Sequence, residues 1–288
     1  MEYLIPPYRK KFEKRGNISR LEIRHFDESL KGVAPSIVIN YDETNLTNDP
    51  GAVKVVVRKG SKHAHRVMDT SKTSTSVMFS VAGDGTLLPP YIVYKAKHMY
   101  EGWADGGFSG ARYNRTINGW FDSTTFEDWF LSIALPYFRN LEGSKVMIGH
   151  NLFSHLTVNV IEQCKNNGIK FVLLPSNSTD LLQPLDVAYF RPLKNAWRKV
   201  LTIWKIKNRG VLPKTVFPRL LKETIEKVGL KSTSNIQAGF KACGIVPLNP
   251  DQVLKKIQHL KKGENENSEQ EETRVDCRSF ERTKNRFK

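Results

Sequence analysis

The sequence predicts an α/β fold in which a mixed β-sheet carries helices on its faces. Its first half contains short runs of β-branched and aromatic residues separated by turn residues, a pattern typical of antiparallel strands. Its second half alternates further short apolar runs with stretches of helical periodicity. With 39% hydrophobic and 26% charged residues, the 288-residue chain can bury a substantial core.

The strands predicted in the first half form a meander. Turn residues such as Gly83 and Gly85 separate the runs, which cover residues 36–40, 53–57, 76–82 and 91–94. The stretch 95–120 that follows is rich in Gly and aromatic residues and has no period. We therefore expect this stretch to form a surface loop or insertion.

Helices and strands alternate from residue 123 onwards. The first helix follows a Ser/Thr cap and places Phe126, Trp129 and Ile133 on one face. A later helix has an apolar stripe that includes Trp197, which indicates a core-facing side. The predicted order is helix 123–138, strand 145–149, helix 156–166, strand 170–174, a helix after Pro184 and a last helical unit at 233–243.

Positive charge is the unusual property of this chain. The 45 Lys and Arg residues outnumber the 29 Asp and Glu residues, which gives a net charge of +16. Such an excess favours a polyanionic partner, because each neutralised phosphate releases counterions. No apolar run approaches the roughly 18–20 residues that span a bilayer, so we expect no membrane partner.

The cations are concentrated in two blocks. Residues 191–231 contain twelve Lys or Arg and two acids, and residues 54–66 contain no acid. One such run alone is equally consistent with a solvated face, but two runs that flank an acidic site favour nucleic acid. The candidate nucleic-acid-binding residues are Lys54, Arg58, Lys59, Lys62, Arg66, Arg191, Lys194, Arg198 and Lys199.

Polar residues also follow three of the predicted strands. Asp42 follows the first strand, His150 follows the strand at 145–149, and Asp186 follows the strand at 170–174. Strand ends are places where a sheet often presents functional groups. An Asp at a strand end is more often a turn residue or a cap, so each position carries little weight on its own.

Four motifs appear around these positions in a fixed order. They are Tyr-Asp-Glu-Thr-Asn from Tyr41, Gly-His-Asn-Leu-x-Ser-His from Gly149, Leu-Leu-Gln-Pro-Leu-Asp-Val from Leu181 and Gly-Phe-x-Ala-x-Gly-Ile-x-Pro-Leu-Asn-Pro from Gly239. This order resembles the DDE superfamily endonuclease domain of pogo, Tigger and jerky-type transposable elements, which are related to mariner. The resemblance covers residues 35–250 and implies an RNase H-like fold, with a mixed five-stranded sheet flanked by helices.

The resemblance also implies a catalytic site. In the family, three carboxylates hold two Mg²⁺ or Mn²⁺ ions that activate a water or a 3′-hydroxyl at a phosphodiester. By motif the first carboxylate is Asp42 and the third is Asp186, whereas His150 stands where the family pattern has Asp. Asp42, His150 and Asp186 are therefore the candidate catalytic and metal-binding residues.

His150 puts catalysis in question. A neutral imidazole brings one nitrogen and no charge, which makes the site poor for Mg²⁺, although Mn²⁺ tolerates nitrogen better. Glu43 should face the other side of an alternating strand, and Asp180 lies where the family pattern has no ligand, so neither is expected to substitute. We expect catalysis to be impaired or absent, with Mg²⁺ or Mn²⁺ as cofactor if the site is active and no cofactor otherwise.

The sequence suggests three segments. Residues 1–34 form a basic N-terminal remnant or linker, residues 35–250 form the core, and residues 251–288 form a charged tail that we expect to be disordered. The first segment is too short for the helix-turn-helix units that precede the core in the family, so DNA sequence reading is lost or lies on an upstream part. The resemblance implies a nuclear location, and a homodimer is left open.

Three interpretations of function remain open at this stage. The one that we adopt is a transposase-derived, DNA-binding protein with a degenerate metal site. The second is a working Mn²⁺- or Mg²⁺-dependent endonuclease or strand transferase that uses Asp42, His150 and Asp186. The third is a non-catalytic module that binds RNA, chromatin or another protein through its positive surface. Asp42 and Asp186 could also be simple caps, with no site between them.

Overall fold

The computed structural model describes residues 30–51, 73–149, 157–174, 178–253 and 255. A short 3₁₀ helix, Pro35–Ile37, leads into the first strand, and two π-helical segments, Phe130–Ala134 and Leu185–Tyr189, join or precede helices. The strands are β1 (Val38–Thr47), β2 (Ser74–Ala82), β3 (Tyr91–Lys95), β4 (Arg112–Thr116), β5 (Lys145–Gly149) and β6 (Ile169–Leu173). The helices are α1 (Ser123–Trp129), α2 (Leu135–Arg139), α3 (Val158–Asn166), α4 (Thr179–Leu182), α5 (Phe190–Lys207) and α6 (Phe217–Ala242).

The described strands form one mixed sheet in the order β4-β3-β2-β1-β5-β6. β1, β2 and β3 are antiparallel neighbours, as the predicted meander requires, and β5 and β6 run parallel to β1. β4 pairs in parallel with β3 at one edge. Among the described strands, β2 alone therefore runs against the others, and the carboxyl ends of the other five lie at the same end of the sheet.

Alternation along β1 separates two hydrophobic cores. Val38 and Leu46 face the core that contains Trp197 of α5 and much of α6. Ile39 and Tyr41 face the core that contains Trp129 and the helices α1 to α3. Because successive strand residues point to opposite faces, both sides of the central strand are buried under helices. The predicted α/β class, a mixed sheet flanked by helices, is confirmed.

The first helix begins with a capping box. The Asp122 carboxylate accepts a hydrogen bond from the backbone N–H of Thr125, and the Thr125 hydroxyl oxygen accepts one from the backbone N–H of Asp122. These bonds satisfy amide groups that the first turn of a helix leaves free. The cap is therefore Asp122, and the predicted Ser/Thr cap is wrong.

Two features of the sheet differ from the expectation. The sheet has six strands where five were expected, because β4 lies within the stretch 95–120 that was expected to be a loop. The polar sequence of β4, Arg-Tyr-Asn-Arg-Thr, does not predict a strand. This segment is a strand because its backbone pairs with β3. The first strand continues to Thr47, because β2 pairs with it along its whole second half. The strand expected at 53–57 lies outside the described residues.

The last helix is much longer than the unit expected at 233–243. α6 begins at Phe217 and includes Gly229 and a Ser/Thr-rich stretch, which have weak helix propensity. Burial of Leu221, Ile225 and Phe240 against the sheet outweighs that weakness. Across the described residues, no helix combines the length and the apolar character that crossing a membrane requires.

Candidate active site

The candidate site lies where the central strand, β1, extends beyond the residues that pair with its neighbour β5. β5 pairs with β1 only from Val38 to Asn40, although β1 continues to Thr47. Beyond Asn40 this side of β1 is free of strand pairing within the described residues, and Asp42 lies in that stretch. Crevices at the carboxyl ends of parallel strands are the usual ligand sites of open α/β sheets. Because Asp42 lies inside a strand, a role as a helix cap is excluded for it.

A buried pair of amide side chains connects three parts of the chain at this point. Asn40 Nδ2 donates to the Ile148 carbonyl of β5 at 3.1 Å and to Gln183 Oε1 at 2.8 Å. Asn40 Oδ1 accepts from the backbone N–H of Leu185 at 3.2 Å. Gln183 Nε2 donates to the Tyr41 carbonyl at 3.0 Å. Both side chains are fully buried, and their bonds fix the turn before Asp186 against the central strand.

This network brings Asp42 and Asp186 together. Asp186 lies on the π-helical segment Leu185–Tyr189, directly after the residue whose N–H is held by Asn40. Burial, and after it the negative charge of Asp186, raises the pKa of Asp42 to about 7. A hydrogen bond from the Gln183 side chain acts on this pKa in the opposite direction. Two carboxylates that repel each other in a partly buried site favour either a shared proton or a bound cation.

Gly149 is the last described residue before position 150. A side chain at Gly149 would overlap the Tyr41 ring, since an added Cβ would lie 2.0 Å from Tyr41 Cζ. Tyr41 itself packs on Phe126 and Trp129, so the ring has no room to move aside. The glycine of the second motif is thus required by packing. His150 lies outside the described residues.

The two alternative acids behave differently from Asp186. Glu43 follows Asp42 in β1, so it faces the opposite side of the sheet by strand alternation, and burial raises its pKa to about 7. Asp180 is exposed in α4 and is not among the groups that shift the pKa of Asp42. Among the acids, the charge of Asp186 acts most strongly on the pKa of Asp42, the charge of Glu43 contributes less, and Asp180 does not contribute.

A divalent cation fits this pair of carboxylates. Mg²⁺ and Mn²⁺ prefer oxygen ligands, and a cation would remove the repulsion that raises the pKa of Asp42. Within the ranges that the structure describes, no cluster of three His, Cys, Asp or Glu side chains is arranged to hold a metal. The described part of the site thus supplies the first and third carboxylates of the motif, and the second position is His150.

Four of the nine candidate cations lie on α5, which begins directly after the Asp186 segment. Arg191, Arg198 and Lys199 are exposed, and Lys194 lies with its ammonium 5.7 Å from the Phe190 ring centroid. At about 100° per residue, Arg191, Lys194 and Arg198 share one stripe of the helix. α5 contains no acid. The other candidates, Lys54, Arg58, Lys59, Lys62 and Arg66, lie outside the described residues.

Asn40 and Gln183 are the site residues to which the sequence analysis gave no role. Gln183 lies within a recognised motif, but its partner is 143 positions away in the chain. Asn40 carries a local signal, because it is a polar residue between the apolar run 37–39 and Tyr41. A polar residue on a buried strand face requires a partner. The identity of that partner depends on the tertiary fold.

Comparisons with known proteins agree with the family that the motifs indicate. The profile of the DDE superfamily endonuclease family matches residues 71–227. A human protein named pogo transposable element with KRAB domain is 25% identical over 219 residues, which cover 72% of this chain and 35% of that protein. A protein of Cochliobolus lunatus named MFS-type transporter clz9 is 26% identical over 228 residues, 76% of this chain and 24% of that protein. The chain thus spans about a quarter to a third of the length of these curated relatives.

A solved structure agrees with the fold. The mariner Mos1 paired end complex with Mg contains a chain that superposes with a TM-score of 0.52 at 11% sequence identity. The superposition covers 88% of this chain and 67% of the Mos1 chain. The RNase H-like class expected from the motifs is therefore confirmed.

The acid pair predicts a specific dependence of stability on pH. Asp42 keeps its proton in the folded protein up to about pH 7, whereas the unfolded carboxyl ionises near its ordinary pKa of about 4. In metal-free buffer the free energy of unfolding should therefore fall as the pH rises from about 4 to about 7. Asp42→Asn should remove this loss and raise stability by about 1–3 kcal/mol at pH 8, with no gain near pH 4. Urea denaturation at the two pH values measures the difference.

Asp180→Asn is the matched control, because Asp180 is an exposed acid near the same turn. This variant should change stability by less than about 0.5 kcal/mol at either pH. An Asp42→Asn variant that is no more stable than the natural chain at pH 8 would contradict the raised pKa that burial and the charge of Asp186 give to Asp42.

The amide pair predicts a large effect of a single substitution. Gln183→Leu leaves one hydrogen bond of Asn40 Nδ2 and the bond to the Tyr41 carbonyl unmade in a buried place. We expect the free energy of unfolding to fall by about 2–4 kcal/mol. The control is Gln237→Leu, which removes an exposed bond to the Asp84 carbonyl and should cost less than about 1 kcal/mol. An equal loss of unfolding free energy in the two variants would show that the buried network stabilises the fold no more than an exposed hydrogen bond does.

Proposed function

Because the chain belongs to the DDE superfamily endonucleases, we propose that it is a transposase-derived DNA-binding protein whose metal site is degenerate, so that its nuclease activity is weak or absent. The observation that carries the proposal is the Asp42–Asp186 pair, held by the buried Asn40–Gln183 amides, with His150 at the position of the second carboxylate. The scaffold for the chemistry is kept, and one anionic ligand is replaced.

The proposed metal ligands are Asp42, Asp186 and His150. A bound divalent ion would polarise the phosphodiester and stabilise the leaving oxygen. Gln183 donates to Asp42 and keeps that carboxylate oriented towards Asp186. With a neutral imidazole in place of a carboxylate, the site carries one negative charge fewer, so it should hold Mg²⁺ more weakly than a site of three carboxylates.

The proposed DNA contacts are electrostatic. α5 begins directly after the π-helical segment that contains Asp186. Its stripe of Arg191, Lys194 and Arg198 runs along the outer side of the helix. Lys and Arg contacts to phosphates position a duplex without reading its bases. Lys199 and the block at 54–66 would add to the same sequence-independent binding, as expected of a protein of the nucleus. We further propose that residues 35–250 form the DDE core and that residues 1–34 and 251–288 flank it.

A working endonuclease or strand transferase is the second candidate. It is favoured by the proximity of Asp42 and Asp186, which a chain without catalytic function has no need to maintain. This candidate requires His150 to serve as a ligand, for which Mn²⁺ is the more suitable ion. A non-catalytic chromatin or protein interaction module is the third candidate, and it requires neither acid.

Nicking of supercoiled plasmid tests these candidates. We expect the natural chain to leave the plasmid intact in Mg²⁺ and to nick it weakly or not at all in Mn²⁺. The His150→Asp variant restores a third carboxylate and should nick in both ions. The product is measured as relaxed circle on a gel over a time course.

The control is the double variant His150→Asp with Asp186→Ala, which should be inactive. Nicking by the natural chain that disappears with Asp186→Ala would support the working enzyme instead. Absence of nicking by every variant, together with DNA binding that does not change with Asp42→Ala, would support the non-catalytic module.

The proposed DNA contacts are tested by changing the stripe on α5. The triple variant Arg191→Ala, Lys194→Ala and Arg198→Ala should bind a duplex more weakly for every sequence tested. The slope of log affinity against log salt should become shallower by about one unit for each phosphate that is no longer neutralised. Fluorescence anisotropy at several salt concentrations measures both quantities.

Lys165→Ala is the matched control, since Lys165 is an exposed cation on α3, on the other face of the sheet. Its salt slope should equal that of the natural chain. A triple variant with an unchanged slope would exclude α5 from the DNA-binding surface.

A further inference from the structure

Residues 264–272, Glu-Asn-Glu-Asn-Ser-Glu-Gln-Glu-Glu, form the densest acidic stretch of the chain, which we call the acidic segment. They contain five of the 29 acids and no Lys or Arg, and no stretch of nine residues that precedes them contains more than three acids. The acidic segment lies outside the described residues. In a chain with a net charge of +16, a block of five acids is attracted to the cations of the folded core.

The cations of α5 are the counterpart of this block. Arg191, Lys194 and Arg198 share one stripe, and residues 190–222 contain ten Lys or Arg and no acid. Across the described residues, none of these three side chains makes an ion pair. Like charges three or four residues apart on a helix repel each other. The stripe is therefore stabilised by any anion that reaches it.

The described chain ends on the face of the sheet that α5 covers. Val253 is buried in the core that also contains Trp197 of α5. The residues before Val253 fold back on Gly244: the backbone N–H of Asn249 donates to the Gly244 carbonyl, and a Cβ added to Gly244 would lie 3.6 Å from Gln252 Cβ. The acidic segment thus follows from a point on the same face as the stripe.

The point at which the described chain ends lies close to the start of α5. Val246 packs on Gly83, whose backbone N–H donates to the carbonyl of the first residue of β1. The Phe190 ring, at the start of α5, lies 6.1 Å from the Phe79 ring, and Phe79 pairs with Asp42. α5 therefore begins beside the fifth residue of β1 and continues away from the point where the chain leaves.

The acidic segment can reach the whole stripe. Four residues along β1 correspond to about 13 Å, and neighbouring helices lie about 8–10 Å apart, so the stripe begins roughly 15–20 Å from the end of the described chain. The nine residues from Lys255 to Glu264 reach at most about 30 Å. The stripe itself is about 10 Å long, because Arg191 and Arg198 are seven residues apart on the helix.

We propose that the acidic segment docks on the stripe of Arg191, Lys194 and Arg198 in the free protein, and that DNA displaces it to bind there. The proposal rests on the proposed DNA-binding function and adds regulation to it. The glutamates take the place of phosphates, which Lys and Arg contact without regard to base sequence. Each exposed ion pair is weak, but attachment to the same chain gives the segment a high effective concentration.

Cross-linking tests the docking directly and needs no DNA. A carbodiimide joins a carboxylate to an amine that touches it, so we expect a link between the acidic segment and Lys194 or the neighbouring Lys199. Trypsin releases the segment as one peptide, because Lys262 and Arg274 border it, and mass spectrometry identifies its partner. Lys165 is the control, since it is an exposed lysine on the other face of the sheet and should not be linked.

The same cross-link distinguishes one copy of the chain from two. Docking within one chain predicts a yield that does not change when the protein is diluted, and an excess of blunt duplex should lower that yield several-fold. A yield that rises in proportion to protein concentration shows that the segment contacts a second copy, and it overturns the proposal. Equal linking to Lys165 overturns it as well.

DNA affinity tests the competition. The five-glutamine variant removes the charges of the acidic segment and keeps the length of the full chain; its changes are Glu264→Gln, Glu266→Gln, Glu269→Gln, Glu271→Gln and Glu272→Gln. At about 50 mM salt it should bind a blunt duplex about three- to tenfold more tightly than the natural chain. The difference should shrink as salt screens the ion pairs. Fluorescence anisotropy in metal-free buffer with chelator measures both affinities.

A double-mutant cycle separates docking from the general effect of net charge. In the background Arg191→Ala, Lys194→Ala and Arg198→Ala the stripe is absent, so the five glutamine changes should alter DNA affinity by less than about 1.5-fold. Glu162→Gln removes an exposed acid from α3 and should have as small an effect on the natural chain. An equal gain with and without the stripe shows that net charge alone acts, and it overturns the docking.

The two proposals fail in different ways. A natural chain that binds no duplex, yet shows the cross-link to Lys194 or Lys199, overturns the proposed DNA-binding function and supports the docking. A chain that binds duplex through the stripe, but shows neither the cross-link nor a gain in the five-glutamine variant, overturns the docking and leaves the DNA-binding proposal in place.

Discussion

The hydrogen bond between Asn40 and Gln183 is the interaction on which the arrangement of the site depends. It joins the central strand to a turn 143 residues later, and the same two side chains bind the backbones of β5 and of Leu185. β5 pairs with β1 only as far as Asn40. At the next residue of β1, the Gln183 side chain donates a hydrogen bond to the Tyr41 carbonyl. Every polar atom of the pair has a partner, so this buried network rigidifies the fold without leaving an unpaired group.

The network also sets the electrostatics of the site. Asp42 and Asp186 repel each other, and without the turn fixed by Asn40 the chain could relieve that repulsion by moving Asp186 away. Neutral amides hold the acids together and add no charge of their own. Binding sites often store such local strain, because a cation or a proton then gains the energy that the repulsion costs. The surrounding cations of α5 lie outside this buried pair, where they can meet a solvated polyanion.

The sequence predicted the parts of the fold that follow from local pattern. The apolar runs located β2, β3, β5 and β6, and strand alternation assigned Asp42 and Glu43 to opposite faces. β4 escaped detection because its order comes from pairing with β3, and the start of α6 because tertiary burial outweighs its weak propensity. The motifs located Asp42 and Asp186, but Asn40 and Gln183 could be given a role only after the fold had brought them together.

The extension of β1 beyond β5 has a consequence for how such a protein can decay. Asp42 lies on β1, Asp186 follows the turn at Gln183, and the neutral side chains of Asn40 and Gln183 connect the two. The fold therefore does not depend on the metal that the site could bind. A substitution at one ligand then removes a chemical step before it removes the folded body. A descendant of a mobile element can therefore lose the ability to cut in one mutation and still offer its host an intact, positively charged domain for another use. Mutations at Asn40 or Gln183 act differently, because they weaken the fold and the placement of the two acids at the same time.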